Sequence, residues 1–119
     1  SGENTIIVAS GANSRVTALA PADAEVLPRS GVLLMQLELP FAVVAEAAAT
    51  ARAFGCLVML NAAPARTLED ALLAQLDVLI VNEHEAGLVG ESDDLTEASA
   101  ALAALVPWLI VTLGSAGSA

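Results

Sequence analysis

Short apolar runs, each closed by a polar or turn-forming residue, recur from one end of the chain to the other. The first, NTIIVAS over residues 4–10, is β-branched and leads into Gly11-Ala12-Asn13, the pattern of a strand entering a turn. Residues 17–27 carry Pro21 ahead of Asp23 and Glu25, which suits a helix with acids in its first turn. GVLLMQLELP then gives a mostly apolar strand over 32–37, stopped by Glu38 and Pro40, and an alanine-rich helix follows over 41–54 with Gly55 just past its end.

The alternation continues. A strand over 57–60 is followed by the loop Asn61-Ala62-Ala63-Pro64-Ala65 and a short helix near 68–75. A strand over 78–81 precedes a short helix over 83–89, and a helix over 95–105 precedes a strand over 108–113 that runs into Gly-Ser-Ala-Gly. Apolar strands alternating with helices predict an α/β fold built on a parallel sheet with right-handed crossovers. With no interior linker, repeat or low-complexity block in 119 residues, the chain reads as part of a single domain.

Composition sharpens this picture. Apolar residues make up 56% and aromatics only 3%, so the core has to be built from Ala, Val, Leu and Ile, which suits parallel strands covered by small-faced helices. The net charge is −10, with no lysine and only Arg15, Arg29, Arg52 and Arg66 as cations. Four scattered arginines form no basic patch, so nucleic acid is not an expected partner. Acidity of this kind keeps a domain soluble and still admits a nucleotide whose phosphates carry a metal cation. Cys56, the single cysteine, reads as a core thiol and favours a reducing compartment. Residues 98–119 carry no charge over a length that could span a bilayer, but Pro107 divides them into a helix and a strand, so no membrane insertion is expected. The start, SGENTIIVAS, lacks a basic region, so no signal peptide is expected, and it lacks a methionine, which suggests a processed or excised segment.

Candidate chemistry sits at the carboxyl ends of the predicted strands, where open parallel sheets gather their ligands. Asn13, Glu38, Asn61, Asn82 with Glu85, and Thr112 with Gly114 and Gly117 all fall there. Glu38 either ends a strand or accepts hydrogen bonds from a ligand, since an unpaired carboxylate is costly to bury. Asn82 and Glu85 have the spacing of a helix capping box. Equally, a helix start with an amide and a carboxylate on one side suits phosphate and a hydrated magnesium ion. His84, with no cysteine nearby, is not expected to ligate zinc. VTLGSAG is either an ordinary strand-to-loop turn or a loop that lets the backbone approach a nucleotide, and it is not a Walker motif, because the Gly-Lys-Ser/Thr is missing.

Taken in order, GAN at 11–13, LLMQLELP at 33–40, LNAAPAR at 60–66, VNEHE at 81–85 and VTLGSAG at 111–117 resemble the ribokinase family of carbohydrate kinases, the PfkB-type sugar kinases. Each run alone is weak; five in register are specific. The resemblance implies a ribokinase-like, Rossmann-like three-layer α/β sandwich with a mostly parallel sheet, of which residues 1–119 are the central, incomplete part. It also implies transfer of the γ-phosphoryl of ATP to a sugar hydroxyl, ribose first, with another sugar or nucleoside kinase, or a non-catalytic nucleotide-binding module, as the other readings.

By the same resemblance Glu38 matches a glutamate that binds sugar hydroxyls, and Asn82 and Glu85 match an Asn-x-x-Glu motif beside the ATP phosphates, with Glu85 reaching magnesium through water. Thr112, Leu113, Gly114, Ser115, Ala116 and Gly117 match the nucleotide-binding loop. The family's sugar-binding glycines and lid strands would precede Ser1, and its anion hole and catalytic base would follow Ala119, so no catalytic residue is expected within the chain. The loop departs from the usual Asn-Pro-Ala-Pro-Ala at Ala62. A homodimeric, cytoplasmic parent that also uses a monovalent cation completes the set of expectations.

Overall fold

The computed structural model describes residue 9 and residues 11–119, so the strand expected over 4–10 falls, but for residue 9, outside the described residues. A 3-10 turn at Asn13–Arg15 precedes helix α1 (Pro21–Val26), a second 3-10 turn (Leu27–Arg29) and strand β1 (Val32–Met35). Helix α2 (Phe41–Ala53), strand β2 (Leu57–Asn61), the single-turn helix α3 (Asp70–Leu73) and strand β3 (Val78–Asn82) follow. Helices α4 (Glu83–Val89) and α5 (Leu95–Ala103), strand β4 (Trp108–Thr112) and a 3-10 turn at Gly114–Ala116 complete the order.

The four strands lie in chain order, β1-β2-β3-β4, and every pairing is parallel. The pairing register sorts their side chains into two faces. Val58 and Leu60, Leu79 and Val81, and Val111 share one face and are buried, and Leu33, Met35 and Leu109 pack against the same cluster. Helix α2 lies against β1 and β2, α4 against β3, and α5 against β4. Alanines let α2 come close: Ala48 and Ala51 are fully buried in its face. The other face is apolar and largely open, with Val32 53%, Leu34 62% and Trp108 70% exposed. Of the three layers expected from the sequence, the described residues build the sheet and one layer of helices.

The helix read within 17–27 begins at Pro21, with Asp23 in its first turn as expected, and ahead of it the Leu19 N–H donates to the Glu46 carboxylate of α2 at 3.0 Å. Two elements differ from the sequence reading in extent. The strand expected over 32–37 stops at Met35, and the N–H of buried Leu37 donates instead to the Ala63 carbonyl at 2.8 Å, tying the loops after β1 and β2 together. The helix near 68–75 shrinks to one turn, whose Leu72 and Leu73 nonetheless reach the core. At the amino ends of the strands, the Asp77 carboxylate accepts from the Val58 N–H at 2.8 Å and pairs with Arg52 at 3.3 Å. No described helix is long and apolar enough to cross a membrane.

Helices α4 and α5 meet at Gly90, where an added Cβ would lie 2.8 Å from the Ala98 Cα and 2.9 Å from the Ala86 carbonyl oxygen. Gly90→Ala is therefore expected to destabilise the fold by about 1–3 kcal/mol through overpacking, read as a lower denaturant midpoint. The open apolar face carries a second expectation: the isolated chain self-associates, and replacing both Leu34 and Trp108 by Gln reduces its particle size in light scattering. An unchanged size in the double variant would place the association elsewhere.

Candidate functional site

Because all four strands run the same way, the residues that follow them share one rim. Neighbouring strands lie about 4.8 Å apart, so the rim measures about 14 Å from the end of β1 to the end of β4. Glu38 follows β1, Asn61 ends β2, Asn82 ends β3 and Thr112 ends β4.

Glu38 lies in the bend between β1 and α2, exposed, and its carboxylate has no partner among the described residues. Pro40 and the Leu37–Ala63 hydrogen bond hold this bend, so the carboxylate projects from a tethered loop. The strand it follows, β1, is separated from β3 by β2, two strand spacings or about 10 Å.

Asn82 and Glu85 form a complete capping box at the start of α4. The Asn82 side-chain oxygen accepts from the Glu85 N–H at 2.8 Å, and Glu85 Oε2 accepts from the Asn82 N–H at 2.8 Å. Glu85 is only 6% exposed, and the bond from the backbone offsets the desolvation of that carboxylate. Its second oxygen, Oε1, has no hydrogen-bond partner among the described residues. Among the described residues no three His, Cys, Asp or Glu side chains come together as a ready cation site. One carboxylate with a free oxygen beside an exposed amide fits a magnesium ion that keeps its waters and takes its remaining ligands from phosphate.

Thr112 is the register partner of Asn82, and its hydroxyl donates to the Val81 carbonyl at 3.3 Å. The chain then turns sharply. Gly114 and Gly117 take φ of 57° and 96°, values that favour glycine, and the Leu113 N–H donates to the Gly117 carbonyl at 2.8 Å. Ser118 pairs antiparallel with Thr112, and Val111 and Ala119 exchange hydrogen bonds of 2.7 and 2.9 Å. Asn82, Glu85, Thr112 and the 113–117 turn thus form one cluster, with Glu38 apart from it on the same rim. Asn13 lies in the 3-10 turn ahead of α1.

The sequence reading gave Arg66 no role of its own, counting it among the scattered cations and as the last residue of LNAAPAR. Its guanidinium carbon lies 5.2 Å from the centroid of the Phe41 ring, a cation–π contact joining the loop after β2 to the first turn of α2. The available signal was its place in LNAAPAR, directly beyond a strand end. A groove of about 610 Å³ is lined by Glu83, His84, Glu91 and Asp93 among others, next to Asn82 and Glu85 in the sequence but without either in its lining.

The capping geometry sets a stability expectation. Asn82→Ala should cost about 1 kcal/mol by loss of the cap, whereas Glu85→Gln keeps an acceptor for the Asn82 N–H and should change the unfolding midpoint little. A large stability loss in Glu85→Gln would show that the charge, rather than the acceptor, holds the turn.

Comparison with known proteins then adds an independent line. The family model described as pfkB family carbohydrate kinase matches residues 1–119. The chain is 40% identical over 124 residues to the ribokinase of Haemophilus influenzae and 35% identical over 127 residues to that of Schizosaccharomyces pombe. Each match covers 98% of this chain, which spans about 40% of the length of each of these relatives. Among solved structures, Arabidopsis thaliana ribokinase complexed with ribose and ATP superposes with a TM-score of 0.84 at 27% identity, over 98% of this chain and 40% of that one. Thermotoga maritima ribokinase gives 0.80 at 29% identity, with the same coverage of both chains. With a match along its whole length and a sheet that superposes on those of ribokinases, the chain belongs to the pfkB family of carbohydrate kinases.

Proposed function

We propose that the protein to which residues 1–119 belong transfers the γ-phosphoryl group of ATP to a hydroxyl of a sugar, with ribose as acceptor. The observation that carries this reading is the division of the rim: a lone carboxylate at the β1 end, and an amide, a carboxylate and a glycine turn together at the β3 and β4 ends. The Arabidopsis relative, complexed with ribose and ATP, supports a site that takes both an acceptor and a nucleotide.

In this reading Glu38 accepts hydrogen bonds from the acceptor's hydroxyls and fixes its orientation. Asn82 presents its amide to the phosphates, Thr112 and the turn through Gly117 bring the backbone against the nucleotide, and Glu85 Oε1 holds a metal-bound water. Magnesium, when bound with the nucleotide, supplies neutralisation of phosphate charge. The bond from the acceptor oxygen to phosphorus forms as the bond from the γ-phosphorus to the bridging oxygen breaks, and the proton passes to a base that we place outside residues 1–119. Catalysis then rests on positioning and charge neutralisation.

Two outcomes test this. In the complete protein Glu38→Ala should raise the ribose KM by about tenfold or more, with a far smaller change for ATP, as expected for lost hydrogen bonds to a charged acceptor. Equal ribose KM values in the two enzymes would overturn the assignment of Glu38. Residues 1–119 alone should release no sugar-dependent ADP, since loss of a positioned base costs on the order of 10²–10⁴ in rate.

A further inference from the structure

Arg66 stands out once the cations are placed on the sheet. Arg29 immediately precedes β1, and Arg52 pairs with Asp77 just before β3, so both belong to the amino ends of the strands. Arg15 lies on the 3-10 turn ahead of α1. Among the described strands, only β2 is followed at its carboxyl end by an arginine, Arg66, in a chain of net charge −10.

Its place along the rim is also particular. Arg66 is carried by the loop that leaves β2, the strand between β1, which Glu38 follows, and β3, which Asn82 ends. Two contacts fix it on the β1 side. The Ala63 carbonyl accepts from the Leu37 N–H at 2.8 Å, and the guanidinium lies 5.2 Å from the centre of the Phe41 ring, three residues beyond Glu38. A guanidinium on an aromatic face loses little freedom when it forms its forked hydrogen bonds, and that fork matches the oxygens of a phosphate. The side chain itself is exposed, so its donors remain open to a ligand.

We propose that Arg66, steadied on Phe41, is a binding residue for the phosphate ester of the acceptor, distinguishing the phosphorylated sugar from the neutral one. This rests on the reading of the rim given under Proposed function. A neutral acceptor gives the guanidinium no charge to meet, whereas its phosphate ester brings an anion to a rim that also carries the carboxylates of Glu38 and Glu85. Arg66 therefore contributes to product affinity far more than to sugar affinity. Phe41 is a positioning residue for it.

The test is calorimetric titration of the complete protein and its Arg66→Gln, Arg66→Lys and Phe41→Leu variants with ribose 5-phosphate, ribose and ATP, beside thermal melting to verify folding. In Arg66→Gln the ribose 5-phosphate Kd should rise about tenfold or more, as for a lost charge-assisted hydrogen-bond pair, with ribose and ATP affinities within about twofold of wild type. Arg66→Lys should restore only part, and Phe41→Leu should weaken ribose 5-phosphate by a smaller factor while leaving the melting temperature near wild type. An unchanged Kd for ribose 5-phosphate in folded Arg66→Gln, or a parallel loss for ATP, would overturn the proposal. Turnover of ribose and ATP by the wild-type protein is scored separately, so a failed kinase reading is distinguishable from a failed role for Arg66.

Discussion

Because every strand of the sheet runs in the same direction, the chain has to travel back along the sheet before each new strand, and the burial pattern shows that it returns on one side. Strands in chain order with right-handed crossovers leave no other arrangement. That single constraint produces both main features of the structure. It places α2, α4 and α5 over the face formed by Val58, Leu60, Leu79 and Val81, and it turns every strand's carboxyl end toward one rim.

The same constraint explains why so few polar residues suffice. A chain with 56% apolar residues has little polar surface to place, and the rim is where strand backbone stops being paired and side chains can reach solvent. Glu38, Asn82 and Thr112 are all exposed there, while Val81, one residue before Asn82, is fully buried. At the opposite ends of the strands Asp77 has a structural task, pinning β2 through the Val58 N–H and α2 through Arg52.

How much was legible in the sequence follows from where the determining interactions lie. β3, α4 and the box formed by Asn82 and Glu85 were readable because caps and apolar runs are local signals. The end of β1 was not, because Leu37 looks like another strand residue until its N–H is seen bonded to Ala63, 26 positions away in the sequence. Alternation did predict helices and a parallel sheet, but it carried no information on which faces they cover; the exposed Leu34 and Trp108 read as ordinary core residues. The contact of Arg66 with Phe41 joins two loops and leaves no periodic trace at all.

Glu85 carries a consequence beyond its geometry. One of its oxygens already accepts from the backbone N–H of Asn82, so a cation that drew the carboxylate away would have to offset a hydrogen bond worth about 1 kcal/mol, a factor of about five in affinity. A cation held through water on Oε1 leaves the cap in place. The start of α4 is thus thermodynamically linked to whatever occupies the rim above it. Occupancy through water should slow hydrogen exchange at the Asn82 amide, and direct capture of the carboxylate should speed it, so a single backbone proton distinguishes the two ways of holding the ion.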